Sequence, residues 1–285
     1  MNEIKQIKLG NQGLVVPGIG LGCMGMVSFA GGDMYGKANE KESIATIQRS
    51  LELGGNFLDT ADLYGPMLSE QLIAKAIKGN RDAYVIATKF GYEINDEGNL
   101  TWNINGSKKY IKKAVERSLQ NLKTDYIDLY YLHRLDPNTP IEETVETMAE
   151  LVKEGKIKYI GLSEVGTETI KKAHAIHPLT AVQSEYSLFE RQVEELGILD
   201  TLAELGIGFV PYSPLGRGFI SGAFQTPDDF PEDDFRRNLP KFQGEQFYKN
   251  IDLLNEIGKI ADEKGITKSQ LALAWIIKKG YVPIP

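Results

Sequence analysis

Asp59 and Tyr64 stand five residues apart in the run N-F-L-D-T-A-D-L-Y-G, residues 56 to 65. Lys89 follows in Y-V-I-A-T-K-F (84 to 90) and His133 in Y-I-D-L-Y-Y-L-H-R (126 to 134). Each lies at the C-terminal end of an apolar, β-branched or aromatic segment of strand length. A carboxylate, a phenol, an ammonium and an imidazole, if brought together, suit proton delivery to a carbonyl oxygen. A nearby cation makes a phenol the better acid.

Such convergence requires a parallel sheet whose strand ends open on one face, as in a closed α/β barrel. The chain has the pattern for one. Strand segments are read at 18–22, 56–59, 84–88, 126–131, 159–162, 180–184, 207–212 and 281–284. Helical patterns separate them, among them Glu42 to Leu53, Ser69 to Ile77, Tyr110 to Leu122, Ile141 to Val152 and Thr167 to His174. Eight strands alternating with helices predict a (β/α)8 barrel of the TIM type. No linker divides the chain, so residues 1–285 are read as one barrel domain. Residues 4 to 9 and 13 to 16, broken by G-N-Q-G, predict a hairpin that caps one end of the core. Residues 216 to 246 read as an extended loop rich in Gly, Pro, Asp and Phe, ahead of two helices near 247–263 and 268–279. The sequence stops one residue after the eighth strand segment, so the expected barrel lacks the helix after that strand.

The net charge of −7 argues against a general surface for nucleic acid or anionic membranes. One cysteine, Cys23, leaves no internal disulfide, which fits a reducing compartment. No apolar signal core and no transmembrane stretch is present. These features predict a soluble cytoplasmic protein whose partner is a small molecule.

Taken singly, each candidate has an ordinary structural reading. Tyr64 is one of 13 tyrosines, and a lone tyrosine is most often a packing residue. His133 could be a satisfied core histidine, Lys89 a surface residue, and Asp59 a turn or cap. G-x-G-x-x-G at Gly20, Gly22 and Gly25 could mark a doubly wound dinucleotide fold. That fold needs an acid ending a second strand about 20 residues on. Residues 41 to 53 are instead helical, so a tight barrel turn is preferred. His174 and His177 lack a third ligand for a metal, and no metal is expected.

Taken together, the chain resembles the aldo-keto reductase superfamily from about Gly20 to Pro285, most specifically over G-x-N-F-L-D-T-A-D-x-Y-G. L-H-R-x-D-P, Leu132 to Pro137, is similar to a subgroup of bacterial and plant reductases. The resemblance implies a catalytic tetrad of Asp59, Tyr64, Lys89 and His133, NADPH as hydride donor, and an aldehyde or ketone as acceptor. Tyr64 would protonate the developing alkoxide, with Lys89, itself paired with Asp59, lowering its pKa. His133 would orient the carbonyl, and Met24, Phe90 and Trp102 would form dry walls around it.

The resemblance also implies that Ser163, Glu164 and Gln183 hold the nicotinamide carboxamide and that Tyr212 stacks on its ring. Many relatives have asparagine where this chain has Glu164, and a glutamate cannot donate to the amide oxygen. Ser213, Leu215, Gly216, Arg217 and Gly218 would follow the pyrophosphate with backbone N–H groups and one cation. The loop that grips the 2′-phosphate would follow the eighth strand and is absent from this sequence. Two other functions fit the same barrel: a cofactor-binding regulatory module like the potassium-channel β subunits, and a lyase or isomerase that binds no NADPH.

Overall fold

The computed structural model describes residues 4–28, 37–232 and 234–285. Strands β1 (Gln6–Lys8) and β2 (Val15–Pro17) pair antiparallel with Ile7 opposite Val16. They form the expected hairpin. Seven parallel strands follow: β3 (Leu21–Gly22), β4 (Phe57–Asp59), β5 (Val85–Phe90), then, after the short antiparallel pair β6 (Tyr92–Ile94) and β7 (Leu100–Ile104), β8 (Ile127–Leu132), β9 (Ile157–Ser163), β10 (Ala181–Glu185) and β11 (Gly208–Tyr212). Their spatial order is β11-β10-β9-β8-β5-β4-β3.

Residues 281–285 occupy the eighth position. Val282 and Ile284 donate to Phe209 and Pro211 of β11, and Gly20 and Gly22 donate to Pro283 and Pro285. The ring is thereby joined on both edges. Pro283 and Pro285 have no N–H to return toward β3, which leaves this ladder half made and reduces the strand to a single bridge, Tyr212 to Ile284. The G-x-G-x-x-G run is a close approach within this closure. A Cβ on Gly20 would stand 2.7 Å from Phe57 and 2.8 Å from Ile284.

Period-two alternation divides the hydrophobic residues into two cores. Phe57, Ala87, Leu129, Tyr131, Ala181, Val210, Val282 and Ile284 fill the barrel together with Leu9, Leu14 and Val16 of the hairpin, which plugs its N-terminal end. Large and small residues interlock there. A Cβ on Gly161 would lie 2.4 Å from the Tyr131 ring, so only glycine fits beside that tyrosine. The opposite pleat faces the helices, where Leu58, Ile86, Phe90, Tyr130 and Leu162 pack against Ile47, Ile73, Ile111, Met148 and Ile170.

The helices are α1 (Glu40–Glu52), α2 (Leu68–Ala76), α3 (Lys108–Leu122), α4 (Ile141–Lys153), α5 (Thr167–Ile176), α6 (Gln192–Glu195), α7 (Ile198–Leu205), α8 (Gly244–Glu263) and α9 (Lys268–Lys278). Ser107 caps α3 by accepting from the Tyr110 N–H. Residues 216–246 differ from the expected open loop. Short 3-10 turns at Phe219–Ser221, Pro227–Asp229, Phe235–Asn238 and Pro240–Phe242 surround a core of their own, Phe219, Phe230, Phe242 and Phe247 with Leu254 and Ala272 of α8 and α9. Among the described residues no helix is long and apolar enough to cross a membrane.

Candidate active site

The C-terminal ends of the barrel strands bring the four candidate groups together. Asp59 ends β4 and Lys89 lies on β5, both on the inner pleat. The Lys89 ammonium donates to Asp59 Oδ1 at 2.5 Å and to the Thr60 carbonyl at 2.7 Å, and lies 3.5 Å from Tyr64 Oη. Gln183, in the middle of β10, donates to the other Asp59 oxygen at 2.8 Å. Tyr64 sits in the turn between β4 and α2, which is tied to β5 by Thr60 N–H to Ala87 O and Asp62 N–H to Lys89 O. His133 follows β8, with its ring centroid 6.0 Å from that of Tyr64 and 5.3 Å from that of Tyr92, both edge-on. All four are buried.

Burial dominates their electrostatics. Desolvation raises the Tyr64 phenol above its usual value; the Lys89 charge opposes this and Asp59 adds to it. Lys89 pulls the phenol down as expected, but burial outweighs it. Desolvation pulls on the Lys89 ammonium too, but the adjacent carboxylate of Asp59 and the Tyr64 phenol reverse the effect, so Lys89 is held above the usual lysine range. His133 is pushed well down by burial, then by the charges of Lys89 and Arg134, and is neutral at neutral pH.

A cavity of about 640 Å³ opens above this floor. Asp59, Tyr64 and His133 line it, with Lys89 fully covered beneath. Of the expected cofactor residues, Ser163, Gln183, Tyr212, Ser213, Leu215, Arg217 and Gly218 line it. In the run 213–218, Ser213, Gly216, Arg217 and Gly218 all have positive φ, between 50° and 88°. Gly216, Arg217 and Gly218 are consecutive, and the tight turn they make is closed by the Gly216 N–H donating to the Ser213 carbonyl at 2.9 Å. Arg217 is at present paired with Glu185 at 2.8 Å, a carboxylate that Lys241 also holds at 2.7 Å.

Other expected residues lie elsewhere. Phe90 is fully buried on the helix side, stacked on Tyr130 with centroids 4.9 Å apart. It follows Lys89 directly, and neighbours on a strand face opposite sides, so the two could not both face the cavity. Trp102 is 57% exposed on β7 and does not line the cavity; it meets the lining residue Tyr92 edge-on, with ring centroids 6.3 Å apart. Of the three expected walls only Met24 lines the cavity. Glu164 is exposed, and its carboxylate accepts from the Glu185 N–H at 2.9 Å instead of lining the cavity. Gly216 is buried within its turn and does not line the cavity. His174 Nδ1 accepts from the Leu179 N–H, a structural bond.

Tyr92, Arg134 and Arg236 also line the cavity. Tyr92, on the β6–β7 hairpin, supplies the wall expected of Phe90 and Trp102. Arg134 is half-buried, whereas Arg236 is buried and paired with Asp234 at 2.6 Å. Arg134 was visible in L-H-R-x-D-P, but its direction was not. Arg236 was visible as half of the basic pair Arg236–Arg237, but its pairing with Asp234 was not.

A model of the Aldo/keto reductase family matches residues 22–285. The aldo-keto reductase yakc of Schizosaccharomyces pombe, named for NADP(+), is 45% identical over 285 residues, covering 98% of this chain and 81% of its own length. A probable aldo-keto reductase 1 of Glycine max is likewise 45% identical, covering 99% of this chain and 80% of its own. Among solved structures, a glycerol dehydrogenase from Gluconobacter oxydans matches with a TM-score of 0.88 at 29% identity, covering 98% of this chain and 85% of its own. The chain belongs to the aldo/keto reductase family.

Proposed function

We propose that this protein reduces aldehydes or ketones to alcohols with NADPH, and that Tyr64 is the proton donor. The observation that carries this reading is the buried chain Gln183–Asp59–Lys89–Tyr64, which ends at a phenol facing the cavity. The bound cofactor supplies the hydride. Burial keeps the Tyr64 phenol protonated, which is the form a donor needs. As the carbonyl carbon is reduced, the phenol proton passes to the carbonyl oxygen, and the Lys89 charge stabilises the phenolate left behind. Asp59 keeps that ammonium in place. His133, neutral, offers an N–H to the carbonyl oxygen without competing as a charged acid. Tyr92, Met24 and Leu63 exclude water from the reacting oxygen.

The residues present fit the cofactor. The cavity runs from Tyr64 to the positive-φ segment 213–218. Ser163 and Gln183 would take the carboxamide, Tyr212 the ring, and Ser213, Leu215, Arg217 and Gly218 the pyrophosphate. The choice of NADPH over NADH is supported by the name of the yeast relative. A reducing, cytoplasmic setting is supported by the single cysteine.

The test is NADPH consumption with 4-nitrobenzaldehyde and with glycerol-derived aldehydes, with the alcohol identified by mass. Alcohol formed in proportion to NADPH consumed is expected. Tight NADPH binding with no turnover on a broad carbonyl panel would instead favour a cofactor-binding regulatory module.

A further inference from the structure

We infer that Arg134 selects carbonyl substrates that carry a carboxylate, so that oxo acids and formyl acids are the preferred class. The inference rests on the carbonyl reduction proposed above and adds the kind of carbonyl compound.

Three arginines line the cavity, and two are already neutralised. Arg217 is paired with Glu185 at 2.8 Å and Arg236 with Asp234 at 2.6 Å. Arg134 differs. Its Nη1 donates to the His133 carbonyl at 2.7 Å and to Ser163 Oγ at 3.2 Å, both neutral acceptors. Among the described residues no carboxylate pairs with its guanidinium, and its Nε and Nη2 donate to no protein acceptor. The lining carboxylate of Asp59 is taken up by Lys89 and Gln183. The cavity therefore holds a half-buried cation whose counter-charge the protein does not provide.

Its position suits a substrate group. Arg134 directly follows His133, and its charge acts on His133, Tyr64 and Tyr212 alike. It thus lies within electrostatic range of the point where the carbonyl oxygen would sit. The two bonds from Nη1 fix one edge of the guanidinium plane and leave donors on the rest of the fork. A planar fork matches a carboxylate in two parallel bonds, which a lysine could not do. Half burial strengthens such a pair compared with one in open water.

The experiment compares charged and neutral substrates of one shape: 3- and 4-carboxybenzaldehyde against the corresponding formylbenzamides. We expect the wild-type enzyme to favour the acids in kcat/KM by roughly 10- to 100-fold, the range of a charge-assisted hydrogen bond. The advantage should lie mainly in KM and shrink between 20 and 500 mM salt, since screening weakens an accessible charge pair. Arg134→Gln should erase the acid-to-amide ratio, and Arg134→Lys should restore part of it. The salt series needs no variant, so a failure of Arg134→Gln to fold leaves the test standing. Equal turnover of acids and amides by the wild type overturns the inference while the reductase reading stands. No turnover of either class overturns the reductase reading itself. A uniform loss across all four aldehydes in Arg134→Gln, with weaker NADPH binding by fluorescence titration, would assign Arg134 to the cofactor and overturn the inference.

Discussion

Lys89 reaches Tyr64 from the neighbouring strand, with its ammonium 3.5 Å from the phenol oxygen and no exposure to solvent. Burial raises the phenol and the ammonium counters it. The pair is thus set to keep Tyr64 protonated at rest and to stabilise the anion it forms when it gives the proton away.

Tyr64→Phe keeps the ring and removes that proton. Turnover should fall by about 10²- to 10⁴-fold, the usual weight of a general acid. NADPH affinity should change little. A single-turnover assay beside a fluorescence titration separates the two, and near-normal turnover would remove Tyr64 from its assigned role.

Lys89→Met should raise the phenol further. In the alcohol-oxidising direction, where the phenolate is the base, the activity rise with pH should move to higher pH. Asp59 loses its cation in this variant, which should cost about 3–5 kcal/mol of stability. A pH–rate profile of unchanged shape would contradict the coupling.

Asp62, two residues before Tyr64, is fully buried and paired with Arg117 at 2.9 Å. Burial, then the neighbouring Glu70, pushes it up to about 7, with Arg117 pulling the other way. The unfolded chain loses this proton near pH 4, the ordinary value, while the folded chain keeps it to about 7. The stability from this group is full below about pH 4 and is lost as pH rises through about 7. Thermal melts at pH 5 and pH 8 should therefore show a larger drop for wild type than for Asp62→Asn. Equal drops would count against an ionising Asp62.

Phe90→Ala should behave as a core deletion, costing about 3–5 kcal/mol. Its acid-to-amide substrate preference should match that of wild type. Tyr92→Ala should do the reverse, raising KM with a modest loss of stability. Urea unfolding and steady-state kinetics on both variants check the assignment of Tyr92, and not Phe90, to the cavity wall.

Gly161→Ala would drive a methyl into the Tyr131 ring. Overpacking of this kind costs about 1–3 kcal/mol. Tyr131→Leu should relieve part of that cost in the double variant, which a double-mutant cycle in urea would measure.

The strand run ending in D-T-A-D-L-Y-G, the lysine at the end of the next strand and the histidine at the end of the one after it were legible without any structure, because barrel strands all deliver their C-terminal residues to one face. The hairpin plug and the strand–helix alternation were legible for a similar reason: local period and turn chemistry do not depend on distant partners. Parity was legible too, and placing Phe90 beside Lys89 in the cavity overlooked it. Only the tertiary structure decided the rest. Whether burial or Lys89 wins at Tyr64 depends on how completely the barrel excludes water, which no spacing encodes. The 3-10 turns of residues 216–246 come from aromatic contacts with α8 and α9, across separations a local pattern cannot report. The open charge of Arg134 exists because the carboxylates of Asp59 and Glu185 are already paired with Lys89, Arg217 and Lys241, a sharing of partners that arises only when the strand ends meet around one cavity.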